Sequence, residues 1–242
     1  MLRHRGKRRT DYHNLQLAFV LSFVAGIVNV ASVLALKVFT TNITGHFAYF
    51  AEELIDFRIE LAITFLVYVT CFLIGAFTSN FFAEFFSRRN PSLAYTLPLI
   101  MEIMAISCAV FFLNPDFSYY VELTAMALLY SMGVQNAMVT KISKSVVRTT
   151  HLTGIFTDLG IEISQLLFYK ESKIRQKLFR SIQLKATIVA SFFVGGIVGG
   201  IGFKYWQIYI LCLPIAVLTL TTAHDYLRYQ YYYIKRRLRY KH

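Results

Sequence analysis

Two short elements of this chain carry the residue types that can hold a small polar solute. Residues 41–54 read TNITGHFAYFAEEL and residues 150–163 read THLTGIFTDLGIEI. In register, Thr41 matches Thr150, Thr44 matches Thr153, Gly45 matches Gly154, Phe47 matches Phe156 and Glu53 matches Glu162. Each Thr-x-x-Thr-Gly precedes an amphipathic helical pattern, so Thr44 and Thr153 are expected N-caps whose hydroxyls accept from the first free backbone amides. A helix start with free N–H groups, hydroxyls and no obstructing side chain can bind an anion or a carbonyl oxygen. In the second copy Asp158 and Glu162 stand one turn apart on the polar face.

Further polar groups sit inside otherwise apolar runs. Gly26-Ile-Val-Asn29 recurs as Gly133-Val-Gln-Asn136, and Phe72-Leu-Ile-Gly75-Ala76 is echoed by Phe192-Phe-Val-Gly195-Gly196. Asn29, Gln135 and Asn136 read equally as helix-to-helix glue and as solute contacts. Glu102 falls near the middle of an apolar run. There it needs a partner or its neutral form, and it reads as a proton or cation carrier, a solute contact, or an acid hydrogen-bonded to a neighbouring helix. Pro98, one turn earlier, kinks that run and frees a carbonyl. The candidate solute-binding set is therefore Asn29, Thr41, Thr44, Gly45, Glu102, Gln135, Asn136, Thr150, Thr153, Gly154 and Asp158.

His46 and His151 occupy nearly matching motif positions and read as solvated or capping groups rather than pH sensors. Gly195, Gly196, Gly199, Gly200 and Gly202 form overlapping GxxxG patterns, suited to close helix packing within the bundle or between subunits. Cys71, Cys108 and Cys212 lie in apolar runs with no CxxC and read as small packing residues. With no GxSxG, P-loop, HExxH or His cluster at ligand spacing, neither an enzyme, a metal nor a cofactor is expected.

The elements that must position these groups follow from composition. Of 242 residues 56% are hydrophobic and 16% charged, and mean hydropathy is +0.51, against about 25% charged in a soluble domain. Six apolar runs, 15–36, 61–82, 93–113, 121–139, 186–203 and 207–223, each approach the roughly 20 residues that cross a bilayer core as a helix. They lack the in/out alternation of barrel strands. The expected fold is all-α, a polytopic membrane bundle of six transmembrane helices.

The net charge of +12 could suggest nucleic acid, but the positions of the basic residues argue otherwise. With the N-terminus inside, all of the 25 Lys and Arg except Lys37, Arg58 and Lys204 fall on one side, which by the positive-inside rule places both termini in the cytoplasm of a plasma-membrane protein. Arg3 to Arg9 and the tail at 224–242, with Tyr229, Tyr231, Tyr232 and Tyr233, then face anionic lipid headgroups. The basic start before an apolar run resembles a secretory leader, but its length and the five later spans read as an anchored helix.

The repeat unit contains three spans, so its second copy enters the membrane from the opposite side: a 3+3 inverted-topology repeat within one membrane domain, halves 12–113 and 119–223. The two Thr-Gly elements then either dip into the membrane as halves of one site or lie as helices along opposite interfaces. The interfacial placement is the better fit, because acidic residues are costly in lipid.

Gly133-Val-Gln-Asn136-Ala137, followed by Arg148-Thr-Thr-His-Leu-Thr-Gly-Ile-Phe-Thr-Asp-Leu-Gly160, resembles the most characteristic signature of the YoaK family, bacterial six-helix membrane proteins carrying a domain of unknown function. The first-half counterpart, Ser22 to Asn29 and Thr44-Gly45-His46, departs from the usual pattern, with Asn29 where the family often has Asp and His46 where it often has Asn. The resemblance spans essentially the whole chain and implies a fold and a location, with no settled activity.

Inverted repeats are a common construction of secondary transporters, so the leading expectation is passage of a small solute or ion between the halves. The alternative is a non-transporting structural or regulatory protein, acting as a homo-oligomer or through another partner; a membrane enzyme using His151, Asp158 and Glu162 comes third. Transport requires a polar cavity lined by Asn29, Asn136, Glu102 and the Thr-Gly elements.

Overall fold

The computed structural model describes residues 10–89, 93–112, 120–143 and 145–239. The basic run Arg3 to Arg9, Leu113 at the end of the third apolar run, Lys144, and the side chains of the tail tyrosines and of Lys235 to Lys241 lie outside what it describes.

The fold is all-helical. In chain order it comprises α1 (Asp11–Leu36), α2 (Ile43–Ile55), α3 (Ile59–Arg89), α4 (Leu93–Phe112), α5 (Val121–Ser143), α6 (Leu152–Phe168), α7 (Ser172–Trp206), a 3₁₀ turn (Gln207–Leu211) and α8 (Cys212–Arg239). The six apolar runs fall in the six long helices, with the last beginning in the 3₁₀ turn. By length and apolarity alone, three stretches among the described residues qualify to cross a membrane: Asp11–Leu36, Ile59–Ser87 and Ser172–Asp225, with Thr96–Phe112 a shorter apolar helix. α5 misses that measure because Thr124, Ser131, Gly133, Gln135, Asn136 and Thr140 dilute its hydropathy. Those side chains are tolerated because α5 is surrounded by protein, with Thr124, Ser131 and Gln135 fully buried. α3 is the converse: Leu73, Phe77, Phe81 and Phe85 stand exposed along it, as on a helix whose outer face meets lipid.

Glycine decides which helices touch. A Cβ at Gly26 would lie 2.1 Å from the Phe192 carbonyl oxygen, and one at Gly133 would lie 2.1 Å from that of Phe72. Reciprocally, a Cβ at Gly195 would meet Phe23 O at 2.1 Å and one at Gly75 would meet Tyr130 O at 2.2 Å. α1 therefore packs backbone to backbone on α7, and α3 on α5, through equivalent positions of the recurring segments. The α7 glycines are used inside the bundle: Gly199 faces Ile27, and a Cβ at Gly202 would collide with Ile210.

Contacts climb both helices of each pair together. Phe23 meets Gly195 and Ile27 meets Gly199; Ser79 donates to Val134 O at 3.0 Å, and Glu84 pairs with Lys141 farther along. Both pairs are thus parallel. Ser145 and Val146, just past α5, share a space with Asp11, Asn14 and Leu15 at the start of α1, so α5 runs opposite to α1. The buried core between them includes Leu17, Leu21, Ile27, Leu128, Leu129 and Met132. Among the cysteines, Cys71 is half-buried while Cys108 and Cys212 are exposed, and all three are free. The latter two are outward-facing rather than the packing residues expected.

Candidate functional site

The connections after α1 and α5 are each pinned back onto the helix they leave. Asn29 Oδ1 accepts from the backbone N–H groups of Thr40 (3.1 Å) and Thr41 (3.3 Å) and from the hydroxyls of Thr41 (3.0 Å) and Thr40 (3.4 Å). Asn136 Oδ1 accepts from the hydroxyls of Thr150 (2.8 Å) and Thr149 (3.3 Å). The backbone donors at Asn29 identify its oxygen end, which leaves the NH₂ group for the space beyond. One side chain thus acts both as glue and as a wall of the site.

The chain then enters α2 and α6. Thr44 and Thr153 are not the N-caps: α2 is capped by Asn42, whose Oδ1 accepts from Gly45 N at 3.0 Å, and α6 starts after His151. At α2 the cap lies two residues earlier than expected because the Asn42 carboxamide reaches the third helical N–H better than a threonine hydroxyl inside the first turn can; α6 also starts two residues early, without a side-chain cap bond from His151. The hydroxyls of Thr44 and Thr153 are released as a result. The glycines keep room for the caps: a Cβ at Gly45 would lie 2.7 Å from Asn42 Nδ2 and one at Gly154 2.5 Å from His151 Cδ2.

Both helix starts line a single cavity of about 890 Å³, whose walls include Asn29, Thr41, Thr44, Gly45, Asn136, Thr150 and Thr153. The starts of α2 and α6 thus meet at one space instead of lying at separate ends of the bundle. The connections turn inward because Asn29 and Asn136, each about two turns before its helix end, draw the threonines back.

Four residues of the candidate set are elsewhere. Glu102 is fully buried on α4 and does not line the cavity. Its carboxyl oxygens and Gln135 Oε1 make no well-formed hydrogen bond, although the Gln135 side chain bears on it. Gln135 Nε2 donates to Leu21 O at 3.2 Å, tying α5 to α1. Sequence position placed Glu102 at the right depth but could not show which way α4 faces. Gly154 and Asp158 line an adjoining space of about 300 Å³ with Arg148, His151 and Lys185.

Sequence reasoning missed Arg148, Asn42, Thr140, Phe39, Phe72 and Phe192 as cavity residues. The signal was present for Asn42, which holds the register position of His151, and for Phe72 and Phe192, which match across the recurring segments. Arg148 was hidden among the basic residues that signal orientation.

The family described as "Protein of unknown function (DUF1275)" matches residues 17–224. The chain belongs to that family. It is also 26% identical over 218 residues to the UPF0700 transmembrane protein YoaK of Bacillus subtilis (strain 168), covering 86% of this chain and 91% of that relative. No solved structure matches. The resemblance seen in the signature residues thus extends over most of the chain, and this DUF1275 protein is a membrane protein.

Around the cavity the two sides differ in chemistry. Behind α6, Lys185 Nζ lies 2.7 Å from Glu162 Oε1 and 3.3 Å from Asp158 Oδ2, and the Ser181 hydroxyl also donates to Glu162 at 2.7 Å. Behind α2, His46 is buried and packs on Phe65 and Tyr68. Burial holds its imidazole below the usual histidine value, against the hydrogen bond to Phe39 O, which acts the other way. The ring is therefore neutral at pH 7, and the 2.6 Å contact to that carbonyl requires the proton on Nε2.

Proposed function

We propose that this DUF1275 protein is a six-span transporter or channel of the plasma membrane, built as a 3+3 inverted repeat with both termini cytoplasmic, which passes a small solute or ion through the cavity between its halves. The observation that carries this reading is the convergence of both Thr-x-x-Thr-Gly elements on one 890 Å³ cavity. Helix starts that meet inside a bundle, at symmetry-related positions, are how many inverted-repeat carriers build their sites. The antiparallel course of α1 and α5 and the matched glycine contacts support the inversion. The basic residues clustered at the end where α1 and α7 begin support a cytoplasmic placement of that end.

The test is uptake into proteoliposomes of the purified chain, screened over charged and neutral solutes. Thr44→Trp and Thr153→Trp each fill the cavity from one helix start and are expected to reduce uptake at least tenfold while the protein stays monodisperse. Glu102→Gln, sealed from the cavity, is expected to stay within about twofold of wild type. Uptake that survives both tryptophans, or no uptake of any solute, overturns the reading.

A further inference from the structure

We infer that the cavity is a site for a small oxyanion, which reaches it from the end of the bundle where α1 and α7 begin. The inference rests on the reading of the cavity as a solute site and names the solute class.

Donors dominate the cavity. Among the described residues no Asp or Glu stands among its walls, whereas Arg148 does. The oxygen of Asn29 is occupied by Thr40 and Thr41, and that of Asn136 by Thr149 and Thr150. Both carboxamides therefore offer N–H rather than C=O groups to a ligand. The two helix starts add their first-turn N–H groups and partial positive charge, and the hydroxyls of Thr44 and Thr153 adapt to either role. A cation would meet a guanidinium and no carboxylate, because Glu102 is closed off in the packing of α4. A neutral solute would leave the guanidinium without a counter-charge.

The approach is of the same sign. Arg148 and His151 belong both to the cavity and to the adjoining space that holds Lys185. Lys185 in turn lines a wider mouth of about 610 Å³ with Lys173, Lys177 and Arg180. Asp11 pairs with Arg180, and Asp158 and Glu162 share Lys185; with Lys173 and Lys177 added, the cations outnumber these acids and the mouth is net positive. Lined in this way, a passage concentrates anions and repels cations. Inside, a guanidinium suits the two oxygens of a carboxylate, sulfate or phosphate, and Phe72 and Phe192 provide flanking apolar surface for an organic body.

The experiment is calorimetric titration of the full chain in neutral detergent at pH 7 and fixed ionic strength. The probes are sodium benzoate and butyrate, their uncharged isosteres benzamide and butyramide, and sodium sulfate and phosphate. Saturable binding of a carboxylate at least tenfold tighter than its amide supports the proposal and assigns an organic anion; binding of sulfate or phosphate alone supports it and assigns an inorganic one. In either case Arg148→Gln weakens binding at least tenfold and Arg148→Lys recovers part of the loss. Asn136→Asp, which brings a carboxylate to the cavity wall, also weakens it. Amides that bind as well as carboxylates, oxyanions that do not bind, or binding indifferent to both Arg148→Gln and Asn136→Asp overturn it. The same oxyanions, with a neutral and a cationic panel, are then offered to proteoliposomes. Uptake of neutral or cationic solutes without oxyanion binding sinks this inference and leaves the transport reading standing; Arg148-dependent binding without uptake of anything does the reverse.

Discussion

The space behind α2 and the space behind α6 flank matching positions of the recurring sequence segments and are filled in opposite ways. Behind α6, Arg148, Asp158 and Lys185 border an open, charged passage. The residues in register with them behind α2 are Phe39, Tyr49 and Phe65; Tyr49 and Phe65 form an aromatic cluster with His46 and Tyr68, and Phe39 meets it through its backbone carbonyl. Tyr49 stacks on Phe65 at 5.2 Å between ring centroids, Phe65 meets Tyr68 edge-on at 6.0 Å, and His46 meets Tyr68 edge-on at 5.6 Å. What the halves share, the Asn-to-Thr clasps, the glycine contacts and the helix starts, builds the cavity. What they do not share makes its two sides chemically different. Aromatic rings bury large apolar areas and exclude water, whereas half-exposed ion pairs keep a passage hydrated.

That comparison can be broken at several points. The largest effect is expected from Gly26→Leu and Gly133→Leu, since each side chain would meet a carbonyl oxygen and force a helix pair apart. Each should cost at least about 3 kcal/mol, read as loss of monodisperse protein on size exclusion. Equal losses support equivalent roles for α1 and α5, while a tolerated substitution at one site would show that the halves are not structurally equivalent. Next are Asn29→Ala and Asn136→Ala, expected to cost about 1–3 kcal/mol in thermal or chemical unfolding. Asn29 should cost more, because it accepts from two backbone N–H groups as well as hydroxyls.

A smaller effect, about tenfold or 1.4 kcal/mol, is expected from Asp158→Tyr, which places in the open passage the residue type found at the matching Tyr49. Solute uptake should fall with unfolding little changed. An unaltered rate would mean that the passage behind α6 is not the route. The least is expected of Arg58→Ala. The pair it makes with Glu53, at 2.7 Å, has an arginine half exposed, and exposed pairs contribute about 0.2–1 kcal/mol. The same substitution at Lys185, which is only 18% exposed and serves both Asp158 and Glu162, should cost visibly more. Equal costs would erase the electrostatic difference between the two sides.

Much of this molecule was legible in the sequence, and the failures were of one kind. The apolar runs located the long helices because burial of apolar side chains is a property of composition over about twenty residues. The recurring Thr-Gly elements pointed to the site, and Asn29, Thr41, Thr44, Gly45, Asn136, Thr150 and Thr153 all line it. The α2 cap was displaced by two residues because the Asn42 carboxamide takes the Gly45 N–H, and α6 starts equally early with no side-chain cap bond from His151. Glu102 was assigned to the cavity on depth alone, since its direction depends on how α4 rolls against α5. Convergence of the α2 and α6 starts on one space could not be read locally, because it draws in acids that need distant partners. Glu162 is accommodated by Lys185, a partner 23 residues away, and Glu53 by Arg58.

By itself the sequence determined the membrane class, the all-helical fold, the family and most of the polar groups that line the cavity. Each of these is a local quantity: hydropathy over a window, a capping preference, a motif. Only the tertiary structure decided that the two helix starts face one cavity, that Glu102 stands outside it, and that one side is closed by aromatic rings while the other is charged and open. Those outcomes depend on contacts between residues more than a hundred positions apart, such as Gly26 against Phe192 and Gln135 against Leu21. Side-chain shape and backbone approach settle such contacts only once the helices have packed.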